Sequence, residues 1–189
     1  MKRLSSLLLL SALFCGHAAA QFVQNQDVFL LAGVNLPTTL TPVLVSGNYG
    51  YGYQIVRSSA ASLWVEMSFG FGGGAATIPG AGGKPKLLWN TYAPGLRFMV
   101  PLHQRVSIYA AGGGGAGNFR EVAISGTPPF ASAIGTWHGV FDAAGGLDIR
   151  LRRSFSLRAE FRDFVTGRGL SGADGRHHPI VGIGIAFHH

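Results

Sequence analysis

The stretch Phe155-Ser156-Leu157-Arg158-Ala159-Glu160-Phe161-Arg162 sorts its side chains strictly by parity. Phe155, Leu157, Ala159 and Phe161 share one face, and Ser156, Arg158, Glu160 and Arg162 share the other. Successive side chains of an extended chain point to opposite sides, so the segment reads as a strand with one apolar and one ionic face. The same period returns near the end, where Val181, Ile183, Ile185 and Phe187 oppose Gly182, Gly184 and Ala186. It returns again over 146–151, where Leu147, Ile149 and Leu151 oppose Gly146, Asp148 and Arg150.

Scanning outward for segments of this kind, bounded by turn residues, gives eight: 27–36, 48–57, 62–71, 87–101, 105–118, 137–151, 155–166 and 178–187. Their connections alternate. Those around Ser58-Ser59-Ala60-Ala61, Leu102-His103-Gln104 and Arg152-Arg153-Ser154 are short. Those over 37–47, 72–86, 119–136 and 167–177 are long and rich in Gly, Pro, Thr and Ser. An even number of strands with short turns at one end and long loops at the other closes most simply as an up-and-down antiparallel barrel, which leaves no free edge.

Composition narrows the class. The chain has 189 residues, of which 12% are charged and 47% apolar; soluble domains carry about 25% charged residues. A mean hydropathy of +0.28 excludes disorder. Glycine, at 29 residues, excludes a helical bundle. The single cysteine, Cys15, supports neither a disulfide framework nor a cysteine metal site.

Residues 1–20 read as a secretory signal rather than structure: Lys2 and Arg3, an apolar run from Leu7 to Phe14, and Ala18-Ala19-Ala20 before Gln21. Phe14 directly before Cys15 argues against a lipid-modified cysteine. Without Lys2 and Arg3 the chain carries 13 basic and 8 acidic residues, net +5. That excess marks no nucleic-acid patch. Residues 21–189 form the barrel domain, in which no apolar run approaches the length of a membrane helix.

The direction of the apolar faces separates two barrels. A soluble ligand-binding barrel turns them inward; a transmembrane barrel turns them to lipid. With the apolar faces outward, the lumen receives Glu66, Arg97, Asp142, Asp148, Arg150, Arg158, Glu160 and Arg162, four cations and four anions, beside Gly50, Gly52, Gly182, Gly184 and Ala186. A balanced, small-residue lining suits a narrow eight-stranded barrel, and most segments have the 9–11 residues of a tilted membrane strand.

These features together, with Leu157-Arg-Ala-Glu-Phe-Arg-Asp-Phe164 and the closing Ile183-Gly-Ile-Ala-Phe187, resemble the small OmpA/OmpX-like outer-membrane β-barrels that consist of the barrel alone. The resemblance implies an eight-stranded transmembrane barrel of the bacterial outer membrane, with short periplasmic turns and four longer extracellular loops. It implies as partners outer-membrane lipid and lipopolysaccharide, periplasmic chaperones and the barrel assembly machinery. Phe187 matches the terminal aromatic that this machinery recognises, although His188 and His189 follow it.

Tyr49, Tyr51 and Tyr53 share a face and, with Trp137, are expected in an aromatic girdle near the long loops. Trp89 and Phe164 face inward by parity, and Asp163 falls on the lipid side. The run Gly112 to Gly115 lacks the Lys-Ser/Thr and helix of a phosphate loop. Lys84, Lys86, Arg120, Arg168 and Arg176 could attract lipopolysaccharide phosphates. His138, His177 and His178, with Ser171, Asp174 and Glu121, spell no catalytic arrangement, and His177-His178 and His188-His189 lie at opposite ends of the last strand. The expectation is a non-enzyme without cofactor, metal or nucleic acid. It acts through its loops on an unidentified partner, in adhesion, surface interaction or envelope integrity. The alternatives are a small or gated channel and a lipid A-modifying barrel enzyme.

Overall fold

The structure is a computed structural model that describes residues 25–36, 44–75, 86–125, 130–166 and 177–189. Residues 1–24 lie outside these, and with them the expected signal and Cys15; so do Lys84, Arg168, Ser171, Asp174 and Arg176. Eight strands follow one another: β1 (Gln26–Asn35), β2 (Leu44–Arg57), β3 (Ser62–Ala75), β4 (Lys86–His103), β5 (Val106–Ser125), β6 (Phe130–Arg152), β7 (Phe155–Thr166) and β8 (His177–His188).

Each strand pairs antiparallel with its chain neighbour, and β8 pairs with β1, closing an up-and-down barrel. Closure satisfies the backbone of every spanning strand within the protein, as a strand in lipid requires. The first and last strands meet at the seam, where Gln26 N donates to His189 O at 3.1 Å and His189 N to Gln26 O at 2.9 Å.

The short-turn end is built from local chemistry. Ser58 closes the β2–β3 turn: its N donates to Ala61 O at 2.8 Å and its Oγ accepts from Ala61 N at 3.0 Å. The other two turns are tighter than the sequence suggests, because β4 runs through Leu102 and His103, and β6 through Arg152. The register shifts at Gln54/Val56, Pro101/His103 and Arg150/Arg152. All three irregularities sit beside a short turn, where bulges bend barrel rims.

The other end extends further than expected. The segment 119–136, read from sequence as a loop, is largely strand: β5–β6 pairing continues from Val106↔Ile149 to Ser125↔Phe130. Pairing of β6 with β7 starts only at Val140↔Thr166. Residues 130–139 therefore rise beyond β7 on one-sided pairing, roughly 30 Å of strand.

Parity holds across the wall. Leu30, Val65, Leu96, Phe98, Phe161 and Ile183 point outward and are exposed, so the outer surface is an apolar band. Inside, three apolar clusters among the described residues are stacked with charge between them. Trp64, Met99 and Tyr109 lie toward the short turns. Phe29, Leu31 and Ala186 line one wall. Trp89, Ala93, Val140, Phe164 and Ile180 plug the long-loop end, with the Trp89 and Phe164 ring centroids 5.8 Å apart. Trp89 and Phe164 thus face inward, as their parity predicts.

Candidate functional site

The middle of the lumen is an ion-pair network, and alternation alone puts it there. Arg158, Glu160 and Arg162 are the inward residues of β7; Glu66 comes from β3, Arg97 from β4, and Asp142 and Asp148 from β6. Arg162 is the hub. Its guanidinium meets Glu66 Oε1 at 2.8 Å, Glu160 Oε1 at 2.7 Å and Asp142 Oδ2 at 2.5 Å, and donates to Ser68 Oγ at 2.9 Å. Arg97 holds the other oxygen of Glu66 at 2.9 Å and reaches Asp27 at 2.5 Å. Arg158 joins Asp27 at 2.9 Å to Asp148 at 3.0 Å.

Neutral donors complete the shell. Tyr109 OH donates to Glu160 Oε2 at 2.7 Å and Asn48 Nδ2 to Glu160 Oε1 at 3.1 Å. The Arg97 guanidinium lies 4.9 Å from the Trp64 ring centre, and that of Arg158 4.9 Å from Phe29. Both distances are within cation–π range. The three arginines are 0%, 0% and 1% exposed, so every guanidinium depends on these partners for the hydration it has lost.

Glycines make room for this packing. A Cβ on Gly52 would sit 2.5 Å from Asp27 Oδ1 and 2.8 Å from Arg97 Nη2. One on Gly146 would run into the Tyr109 ring, and one on Gly50 into the Met67 carbonyl oxygen and the Phe29 ring. A narrow barrel holds bulky inward side chains where the facing strand offers none, as at Gly50, Gly52, Gly70, Gly72 and Gly146.

No protein-family model matches the chain, and no curated protein is detectably similar to it. Solved structures are similar in fold. Neisserial surface protein A aligns with a TM-score of 0.61 at 8% identity, covering 87% of this chain and 97% of that one. Ail, the attachment invasion locus protein of Yersinia pestis, aligns with a TM-score of 0.54 at 12% identity, covering 87% and 97%. The fold is that of the small eight-stranded outer-membrane β-barrels.

In this barrel, seven residues expected in the lumen cluster, Glu66, Arg97, Asp142, Asp148, Arg158, Glu160 and Arg162, lie in one network. Arg150 does not join it. It is half-buried at the short-turn mouth beside a bulge, and Asp148, its nearest acid in sequence, is held by Arg158. Asp27 takes the place that Arg150 was given. In β1 it shares parity with Phe29 and Leu31, so sequence alone reads that side as apolar. The signal that could have found it is Gly52, its register partner on β2. The network thus sets three cations against five carboxylates, not four against four.

Tyr49, Tyr51, Tyr53 and Trp137 all project outward and are exposed. Tyr49 and Trp137 belong to a row around the outer third of the wall. Tyr49 stacks on Phe69 at 5.0 Å, Phe69 meets Tyr92 edge-on at 5.4 Å, and Tyr92 stacks on Trp137 at 6.4 Å. Tyr51 and Tyr53 instead descend β2 toward the short turns, Tyr53 pairing with Gln26 near the end of β1. Phe187 faces outward at the seam, its ring 5.3 Å from Phe155, while His188 turns into the lumen mouth, 2.6 Å from Ser156 Oγ.

Asp163, the carboxylate on the outer face, is not left bare. His177 Nδ1 lies 2.6 Å from its Oδ2, and His178 N donates to its Oδ1 at 2.9 Å. Among the described residues no group of three or more His, Cys, Asp or Glu side chains is arranged to hold a metal.

Proposed function

We propose that the protein is an integral barrel of the bacterial outer membrane that works at its long-loop end, in adhesion or another surface interaction, rather than as a pore. The observation that carries this reading is the closed lumen. The Arg97–Arg158–Arg162 network lies across its middle, and the Trp89–Phe164 plug lies above it. Water-filled channels belong to barrels of about 16–18 strands. With the lumen shut, what the barrel offers to its surroundings is the β5–β6 hairpin and the long connections.

Ail, a fold neighbour, has been crystallised with the heparin analogue sucrose octasulfate. Here Lys86 on β4 and Arg120 on β5 are two register steps apart at the outer end, Leu88 pairing with Arg120. Together with Lys84, Arg168 and Arg176 in the long connections, they supply the charge for a polyanionic surface such as lipopolysaccharide phosphate. Residues 1–20 serve as the secretion signal, and Phe187 as the contact for the assembly machinery.

The test is surface display of the full chain against a variant in which 126–129 and the flanking strand tips are replaced by a two-residue turn. The reading expects loss of cell or lipopolysaccharide binding with the barrel still assembled. Undiminished binding overturns it. A small or gated channel is the second reading, favoured by unpaired polar atoms inside the network. Asp27 Oδ1, Asp142 Oδ1, Arg97 Nε and Arg158 Nη1 have no partner among the described residues, so its bonds can be remade. Planar-bilayer recording separates the two readings: a plugged barrel gives no steady conductance.

A further inference from the structure

The short-turn mouth holds a second charged assembly, opposite in sign to the lumen and independent of the loops. A cavity of about 400 Å³ opens there, lined by the exposed Arg57, Arg105 and His103 and the half-buried Arg150, with Trp64 and Asp148 also in its lining. Three different parts of the barrel bring the arginines together: Arg57 ends β2, Arg105 sits in the β4–β5 turn, and Arg150 is the last inward residue of β6 before its bulge. The backbone ties two of these sites, Arg150 N donating to Arg105 O at 2.7 Å.

None of the three guanidiniums has a carboxylate partner among the described residues. The one acid in the cavity, Asp148, is committed to Arg158 at 3.0 Å. This contrasts with the arginines above, each of which meets at least two carboxylates. A cavity of this size lies within the range of small-ligand sites, and the ion-paired layer above makes it a closed-ended pocket. Arginines gathered around one concave surface suit oxyanions, which guanidinium forks bind in bidentate fashion. Trp64 adds an apolar wall.

We propose that the mouth is a binding site for a small molecule carrying two or more oxyanion groups, phosphate or carboxylate, that enters from the short-turn side. Arg57, Arg105 and Arg150 hold the anions, and His103 contributes a further donor. The site does not depend on which membrane holds the barrel or on what the loops bind, so its failure leaves the proposed function standing.

The experiment is calorimetric titration of the full barrel, refolded in octyl glucoside, whose headgroup carries no phosphate. Inorganic pyrophosphate and citrate are titrated separately, and the tighter of the two assigns phosphate or carboxylate chemistry. The expected result is saturable one-to-one binding to at least one of them. Binding should be weakened about tenfold or more in the triple variant Arg57→Gln, Arg105→Gln, Arg150→Gln, which is roughly 1.4 kcal/mol. The variant Arg152→Gln, Arg153→Gln, on the adjacent turn but outside the lining, should bind as the parent does. If the triple variant does not refold, Arg150→Gln alone replaces it and should weaken binding about threefold or more. The proposal is overturned by the absence of saturable binding up to about 10 mM. It is also overturned by equal binding in the arginine variant used, or by an equal loss in the Arg152/Arg153 control.

Discussion

Arg162 Nη2 on β7 and Glu66 Oε1 on β3 lie 2.8 Å apart although 96 residues separate them in the chain. Their strands are four places apart in the closed sheet, so the bond spans the lumen rather than running along its wall. The network is therefore an internal brace. Cutting it leaves charge stranded in a space that water reaches poorly.

Arg162→Leu and Arg158→Leu should each destabilise the barrel by about 3–5 kcal/mol, because the carboxylates they served remain buried and unpaired. Urea unfolding in detergent, followed by loss of heat-modifiable gel mobility, measures this. Replacing Lys86 at the outer end should change the midpoint little. Equal effects at both positions would show that the lumen charges carry no structural role.

Asp27 stands in the network where the sequence expectation put Arg150, and variants of the two should show it. Asp27→Leu removes the acid shared by Arg97 and Arg158 and should cost about 3 kcal/mol or more. Arg150→Gln, at the mouth, should stay within about 0.5 kcal/mol of the parent. Matched denaturation curves for the two proteins check the contrast, and a larger loss in Arg150→Gln would return that residue to the network.

The glycines of β6 divide by what faces them. Gly146→Ala drives a methyl into the Tyr109 ring and against the Ala159 carbonyl oxygen. It should cost about 1–3 kcal/mol. Gly139→Ala meets no atom within 4 Å and should be neutral within about 0.5 kcal/mol. Thermal unfolding of the pair reads the difference directly.

Trp137 is 63% exposed on the outer wall, whereas Trp64 and Trp89 are buried in the lumen. In bilayers containing brominated lipid, Trp137 should account for most of the quenchable fluorescence, and Trp137→Phe should remove it. Strong quenching in Trp137→Phe would place lipid where the account places the interior.

What was legible in the sequence was legible for a physical reason. β7 and β8 alternate without interruption, so Arg158, Glu160 and Arg162 could be assigned to the lumen from the primary structure. Trp89 and Phe164, which break the apolar-outward rule, were still assigned inward by counting. β1 hid Asp27 because a narrow lumen also takes Phe29 and Leu31, so composition ceases to mark the face. The bulges at 54/56, 101/103 and 150/152 shift parity over the last one or two residues of their strands, which alternation cannot reveal. The tips of β5 and β6 looked like loop because Gly, Ser and Pro surround them. Their strand character comes from cross-strand pairing that continues past the barrel wall.

The central claim is that the apolar faces look outward to lipid from a closed barrel with its charge inside. Carbonate extraction of native membranes, with the pellet and supernatant run unheated and boiled on a cold gel, tests it most directly. The account predicts that the protein stays in the pellet and that its mobility shifts on boiling. Release into the supernatant without a shift would contradict it, turning the apolar faces into a soluble core.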